Sequence, residues 1–439
     1  MKISFIKNGK GMMRMNLKAQ DGILDHQGRC LTQPFGEWIR ATRRSARFVM
    51  SILLVPVFFG LGCSTPLVHD ELQPDPAVLQ REWTRSSKSD WKAGELGAEY
   101  SRPVFYQNTL IYGNQSKGVI SLYPSLNQIR WRFALEEGVM SPLLVEEDTV
   151  FFGGGDGVLY ALDAATGRVR WKYLLRNPIV SQPTYSGGRL FVTTSDDTIY
   201  ALDAGTGEWL WHYRRRSVSQ ATVLGASQPQ VHAGEVIVGL SDGYLVGISE
   251  VDGKLKWEKK IHRGQKFTDV DAHPLVASGK IYVPSYDGAL VQLDRKTREI
   301  GWRVDAGGSN QVIIERDKIY LPSSDGFIYS IQRESGKVNW KFELDQGVPT
   351  QLVSTPEALI FGSSHRYLYV LDKATGKGRY RWDVGSGSGF SSAPIADLNS
   401  NRLYILSNAG NLYSFAMTFR DQATTPLILN NRYRFFSPI

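Results

Sequence analysis

Cysteine is nearly absent from this 439-residue chain: its only two, Cys30 and Cys63, stand near the N-terminus. The long body that follows therefore holds neither a disulfide nor a cysteine-built metal site. Histidine is sparse too, and His26, His69, His212, His232, His262, His273 and His365 include no pair at the spacing that brings two imidazoles onto one helix face. The body also lacks an excess of either charge. The formal charge of +8 is concentrated in residues 1–62, where ten basic side chains stand against Asp21, Asp25 and Glu37, while the remainder carries 41 basic and 40 acidic groups. A near-neutral body offers no basic face to track phosphates, so no nucleic-acid partner is expected. Gly153-Gly-Gly-Asp-Gly157 is glycine-rich without the Gly-Lys-Ser/Thr of a phosphate loop, and reads as a hairpin turn. With no convergent set of reactive groups, no catalytic residue, metal or cofactor is expected.

What the chain has in plenty is a repeat. Leu159-Tyr-Ala-Leu-Asp-Ala-Ala-Thr-Gly-Arg-Val-Arg-Trp171 returns almost unchanged as Ile199-Tyr-Ala-Leu-Asp-Ala-Gly-Thr-Gly-Glu-Trp-Leu-Trp211. Looser copies end at Trp131, Trp257, Trp302, Trp340 and Trp382, so successive tryptophans are 40, 40, 46, 45, 38 and 42 residues apart. Such a period in an all-strand pattern signals a propeller or a solenoid. The copy containing Trp171 reads as four strands, 141–145, 149–153, 158–162 and 168–173. Asp-Gly pairs at Asp156-Gly157, Asp242-Gly243, Asp287-Gly288 and Asp325-Gly326 suggest two-residue hairpins between the second and third strands. Between the third and fourth, Asp163 and Thr166 can bond backbone amides while Gly167 takes the left-handed position. A large aromatic on each outer strand fills the widening gap between radially stacked sheets, so the tryptophans read as core.

Seven units end in tryptophan, at roughly 101–133, 141–173, 181–213, 225–259, 271–304, 310–342 and 350–384. An eighth starts near Ser391 and stops after Asn411-Leu-Tyr-Ser-Phe415 with no fourth strand. That strand can come from upstream, at Glu82-Trp83 or Asp90-Trp91-Lys92, which closes the ring and removes an exposed sheet edge. The fold expected is all-β: an eight-bladed β-propeller of four-stranded antiparallel blades, the last closed by an N-terminal strand, with seven blades as the alternative.

The basic stretch Arg40–Arg47, the apolar run 48–59 and the small residues before Cys63 form the pattern of an export signal, the run being shorter than the roughly 20 residues a bilayer span needs. Cys63 behind Gly62 resembles a bacterial lipobox, which implies lipid attachment at Cys63. The sequence departs from that pattern in having Gly60 where leucine is usual. The expected organisation is an N-terminal extension and signal over 1–62, a lipidated tether over 63–80, the propeller over 81–420 and a tail over 421–439.

The Leu-Asp-x-x-Thr-Gly-x-x-x-Trp signature resembles the pyrroloquinoline-quinone-type propeller repeats across most of residues 101–415. Quinoprotein dehydrogenases share them and form the enzyme alternative; their vicinal cysteine disulfide has no counterpart after Cys63. More closely, the combination of lipobox, tether and ring resembles the propeller lipoproteins of the outer-membrane β-barrel assembly machinery. Phe267-Thr-Asp-Val-Asp-Ala-His-Pro274 is similar to that family's Ser-Asp-Val-Asp-x-x-Pro stretch. The resemblance implies that Asp269 and Asp271 contact a periplasmic POTRA domain of BamA. The family's Leu-x-Leu-Arg loop matches Ala221-Thr-Val-Leu224, which adds Ala221, Val223 and Leu224 to the same surface, with Leu224 where the family has arginine. Any ion pair made by that arginine is lost here. The resemblance further implies a non-enzymatic, lipid-anchored scaffold on the periplasmic face of the outer membrane, monomeric within a hetero-complex. It would dock on BamA and assist insertion of outer-membrane proteins, with the nascent chains as further partners. A propeller lipoprotein of another envelope complex is the remaining alternative. The two wide tryptophan spacings point to longer loops at the fourth and fifth blades, where recognition concentrates on a rigid scaffold.

Overall fold

The computed structural model describes residues 3–7, 13–17, 67–68, 75, 77–86, 99–215, 226–262, 270, 272–286, 288–385 and 388–418. The chain divides into two compact units, Met1–Gly62 and Cys63–Ile439. In the first, strands Ile3–Lys7 and Met13–Leu17 pair antiparallel. The second is the propeller.

Among the described residues the propeller consists of eight sheets, each built on three or four consecutive antiparallel strands. Blades one to seven span 104–133, 144–174, 184–213, 230–260, 275–304, 313–343 and 353–383. Blade eight takes three strands from 395–417 and its fourth, Leu79–Ser86, from upstream of blade one. Trp83 of that strand pairs with Ser414, which decides between the two candidate closing segments. The last and first chain segments of the ring thus share a sheet, and Arg402 clamps the joint through Glu82 at 2.8 Å. Blade six has a fifth strand. Leu67–Val68, within the expected tether, pairs in parallel with its outermost strand Val338–Glu343.

The strands are short and their middle members are buried on both faces, because each blade is covered by a neighbour on either side. The core is accordingly eight separate apolar layers, one between each pair of neighbouring blades. Phe152, Leu162 and Val119 fill the layer between blades one and two, and Phe191, Val238 and Ile248 that between three and four. Every blade also carries a register shift between its third and fourth strands, as at Ala161/Leu162. An extra residue there increases local twist.

Two details differ from the sequence reading. The Asp-Gly turn is four residues long: Gly153 ends one strand, Val158 starts the next, and Gly157 closes the turn at φ 74° with its amide on the Gly154 carbonyl at 3.1 Å. Its aspartate instead accepts a hydrogen bond from a tyrosine hydroxyl, Tyr160 to Asp156 at 2.6 Å, and Tyr160 is pushed up to about 12 by burial and by that carboxylate. The innermost strand of blade two is Leu144–Glu146, not 141–145. Ser141 lies before it, and its hydroxyl accepts a hydrogen bond from the Gly153 amide at 2.8 Å. The same tie recurs from Ser101 to Gly113, Ser227 to Gly239 and Thr350 to Gly362.

The candidate site at the blade four and five loops

The signature turn explains how blades are seated on one another. Asp163 accepts from the Thr166 amide at 2.9 Å and its hydroxyl at 2.8 Å, and Arg170 together with these bonds holds the Asp163 carboxyl below the usual carboxylate range. This bends the chain so that Gly167, at φ 71°, faces Trp131 of the preceding blade; an added Cβ would come within 2.5 Å of the indole. Trp131 Nε1 donates to the Ala164 carbonyl of the same turn at 3.0 Å. Trp171 meets Gly207 and Ala204 in the same way, and Trp211 meets Gly253 and Glu250. The threonine-glycine pair of the repeat is therefore a socket for the neighbouring tryptophan.

The junction of blades four and five departs from this. The residue equivalent to the socket glycine is Arg298, left-handed at φ 63° without being glycine. Its guanidinium lies 4.1 Å from the centre of the Trp257 ring and bonds Glu235 at 3.2 Å. Trp257 leans over its own blade, where an added Cβ on Gly247 would meet the indole at 2.1 Å. In the sequence Trp257 reads as one more copy. The missing glycine at position 298 was the legible signal.

The connectors into these two blades are also long. Sixteen residues separate Tyr213 from Gln230 and fourteen separate Lys260 from Leu275; seventeen separate Ser86 of the closing strand from Val104 of blade one, and the remaining blade-to-blade connections have eight to eleven. Asp269, Asp271, Ala221, Val223 and Leu224 fall in these connectors and lie outside the described residues, as does Cys63. Their roots are described, and they meet. Ser227 donates its hydroxyl to the Ala272 carbonyl at 2.9 Å, and His273 Nδ1 lies 3.0 Å from the Gln228 carbonyl. Val270, between the two aspartates in sequence, is fully buried in the apolar layer between blades four and five, and its amide donates to the Leu240 carbonyl at 3.2 Å. Burial lowers His273 to about 4, so it is neutral at physiological pH.

At the near end of the first connector, Arg215 is held on three sides. It packs 3.8 Å from the centre of the Tyr244 ring, bonds Glu258 at 3.1 Å and forms an ion pair with Asp242. Although burial opposes its charge, Glu258 and Asp242 raise its pKa. Among the described residues no three of His, Cys, Asp and Glu gather into a metal-binding group, and no helix is long and apolar enough to cross a membrane.

Blades of this repeat, closed by a strand from upstream, define an eight-bladed propeller of the pyrroloquinoline-quinone-like type. The family described as outer membrane protein assembly factor BamB matches residues 128–342, from the last strand of blade one to that of blade six, so that stretch is similar to BamB. Outer membrane protein assembly factor BamB of Yersinia pestis is 28% identical over 44% of this chain and 50% of its own length. The chain spans about half the length of the curated relatives it matches most extensively. The crystal structure of BamB from Moraxella catarrhalis superposes with a TM-score of 0.67 at 21% identity, over 77% of this chain and 100% of that one. A europium-containing methanol dehydrogenase shares the fold with a TM-score of 0.62 at 13% identity, over 77% and 93%.

Proposed function

We propose that this chain is a non-enzymatic scaffold of the outer-membrane β-barrel assembly machinery that docks on a periplasmic POTRA domain of BamA and assists insertion of outer-membrane proteins. The observation that carries the reading is the common root of two long connectors into neighbouring blades, tied by Ser227 to Ala272 and by His273 to Gln228. One rigid seat for two loops suits recognition of a folded partner better than either loop alone. Asp269 and Asp271, with Ala221, Val223 and Leu224, are the contact residues on this reading. Lipid attachment at Cys63 holds the ring at the periplasmic face of the outer membrane, each buried acyl methylene adding about 0.8 kcal/mol.

Co-purification with BamA from membranes tests the proposal. The wild-type chain recovers BamA, and the charge reversals Asp269→Arg and Asp271→Arg abolish recovery; undiminished recovery by both variants would overturn the site. The dehydrogenase reading draws on fold likeness, and dye-linked alcohol oxidation after addition of quinone and calcium would favour it instead.

A further inference from the structure

The propeller's axis carries a feature that the docking reading does not use. Residues just before the innermost strands of all eight blades line a cavity of about 510 Å³, and the innermost strands of blades one and two, three and four, and four and five touch one another. A volume of this size suits a small organic molecule. Among the described residues its walls contain no aspartate or glutamate, and Arg102 is the single full charge lining it, since His273 is neutral. A second cavity of about 560 Å³, under blades one, two and eight, shares Arg102 and Gln182 with the first. The arginine therefore sits where the two spaces adjoin.

Arg102 has no hydrogen bond or ion pair among the described residues. Its Nε is shut off from solvent with no acceptor, and burial holds its pKa below the ordinary arginine value. The carboxylate of the adjoining cavity, Asp397, is engaged elsewhere: it accepts from the Asn399 amide at 3.0 Å and the Ser400 hydroxyl at 2.6 Å. A guanidinium whose Nε is shut off from solvent without an acceptor is costly, and such an atom in a folded protein calls for an occupant. The surrounding amides are already oriented. Gln182 donates to the Leu143 carbonyl at 2.6 Å, Asn310 to the Pro349 carbonyl at 2.9 Å and Gln351 to Gln311 at 2.8 Å. Each retains a second amide hydrogen and an acceptor oxygen for a polar ligand.

We infer that the central channel is a binding site for a small monocarboxylate of amino-acid to dipeptide size, with its carboxylate on the Arg102 guanidinium and its polar remainder against the ring of amides. The planar fork of arginine matches a carboxylate, and a single charge among neutral amides suits a monoanion better than a phosphate dianion. The inference is independent of docking on BamA, so either can fail without the other.

The experiment is calorimetric titration of the purified full chain with N-acetyl-alanyl-alanine, its C-terminal amide and inorganic phosphate. The free acid should bind saturably at or below the millimolar range, about 1 mM. The amide should not bind, phosphate should bind more weakly than the acid, and Arg102→Gln should weaken the acid at least about tenfold. Because the substitution removes a half-buried charge whose enclosed Nε has no acceptor, Arg102→Gln should melt no lower than the wild type; Arg102→Lys, which keeps charge without the fork, should bind with intermediate affinity. No saturable binding of the acid, equal binding of acid and amide, or affinity unchanged in Arg102→Gln would each overturn the site, and tighter binding of phosphate would overturn the ligand class.

Discussion

Blades two and three meet through a glycine that seats a tryptophan; blades four and five meet through an arginine. At the first junction Gly207 leaves room for the Trp171 ring, and the turn carbonyl of Ala204 accepts its indole hydrogen at 3.0 Å. At the second, Arg298 lies over Trp257 and anchors itself to Glu235. The uniform junction is pure scaffold, repeated because each tryptophan needs the same socket. The divergent one coincides with two long connectors into neighbouring blades and with the shared root of both candidate loops. In a repeat protein, departure from the repeat is where specific recognition can be built without disturbing the ring.

The comparison makes graded predictions. Truncating the buried Trp211 to alanine should cost about 3–5 kcal/mol of unfolding free energy, because it empties a layer between blades. Gly207→Ala should cost about 2 kcal/mol, since the new Cβ meets the Trp171 ring at 2.6 Å and the residue is left-handed at φ 75°. Chemical denaturation measures both, and a neutral Gly207→Ala would break the socket account. Acid should act at the divergent junction. His273 has its pKa lowered to about 4 from 6.5, so between those values the unfolded chain takes up a proton that the folded chain refuses. Stability therefore falls as pH drops through that window, by at most about 3 kcal/mol and less where water reaches this half-buried ring. Comparing His273→Gln with wild type across the same pH range should remove that slope. Arg298→Gly should change stability least, by about 1 kcal/mol, because an exchanged cation–π contact and ion pair are partly offset by relief of the left-handed backbone.

Much of this architecture was legible because the tryptophan period is set by blade geometry itself. Seven tryptophans and one strand deficit gave eight blades, and the only open choice was whether Trp83 or Trp91 lay on the closing strand. Pairing decides for Trp83 because the register from Leu79 to Ser86 matches Met417 to Asn411. The Ser141-type ties have no sequence signal: a serine before an apolar run looks like any strand residue until the fold brings the Gly153 amide to its hydroxyl. Arg102 was equally silent, since one arginine among many gains meaning only when eight blades enclose it. The connectors at blades four and five were visible as wide spacings, but their meeting through Ser227 and Ala272 depends on long-range packing that no local pattern encodes.

The central claim is that recognition resides in the divergent blades and not in the repeat. Its most direct measurement is the affinity of the purified propeller for the isolated periplasmic region of BamA, with the double variant Asp269→Arg/Asp271→Arg set against Glu208→Arg on the exposed turn of blade three. The account predicts a loss of at least about tenfold for the double variant and no change for Glu208→Arg. Equal effects of the two, or none from the double variant, would contradict it.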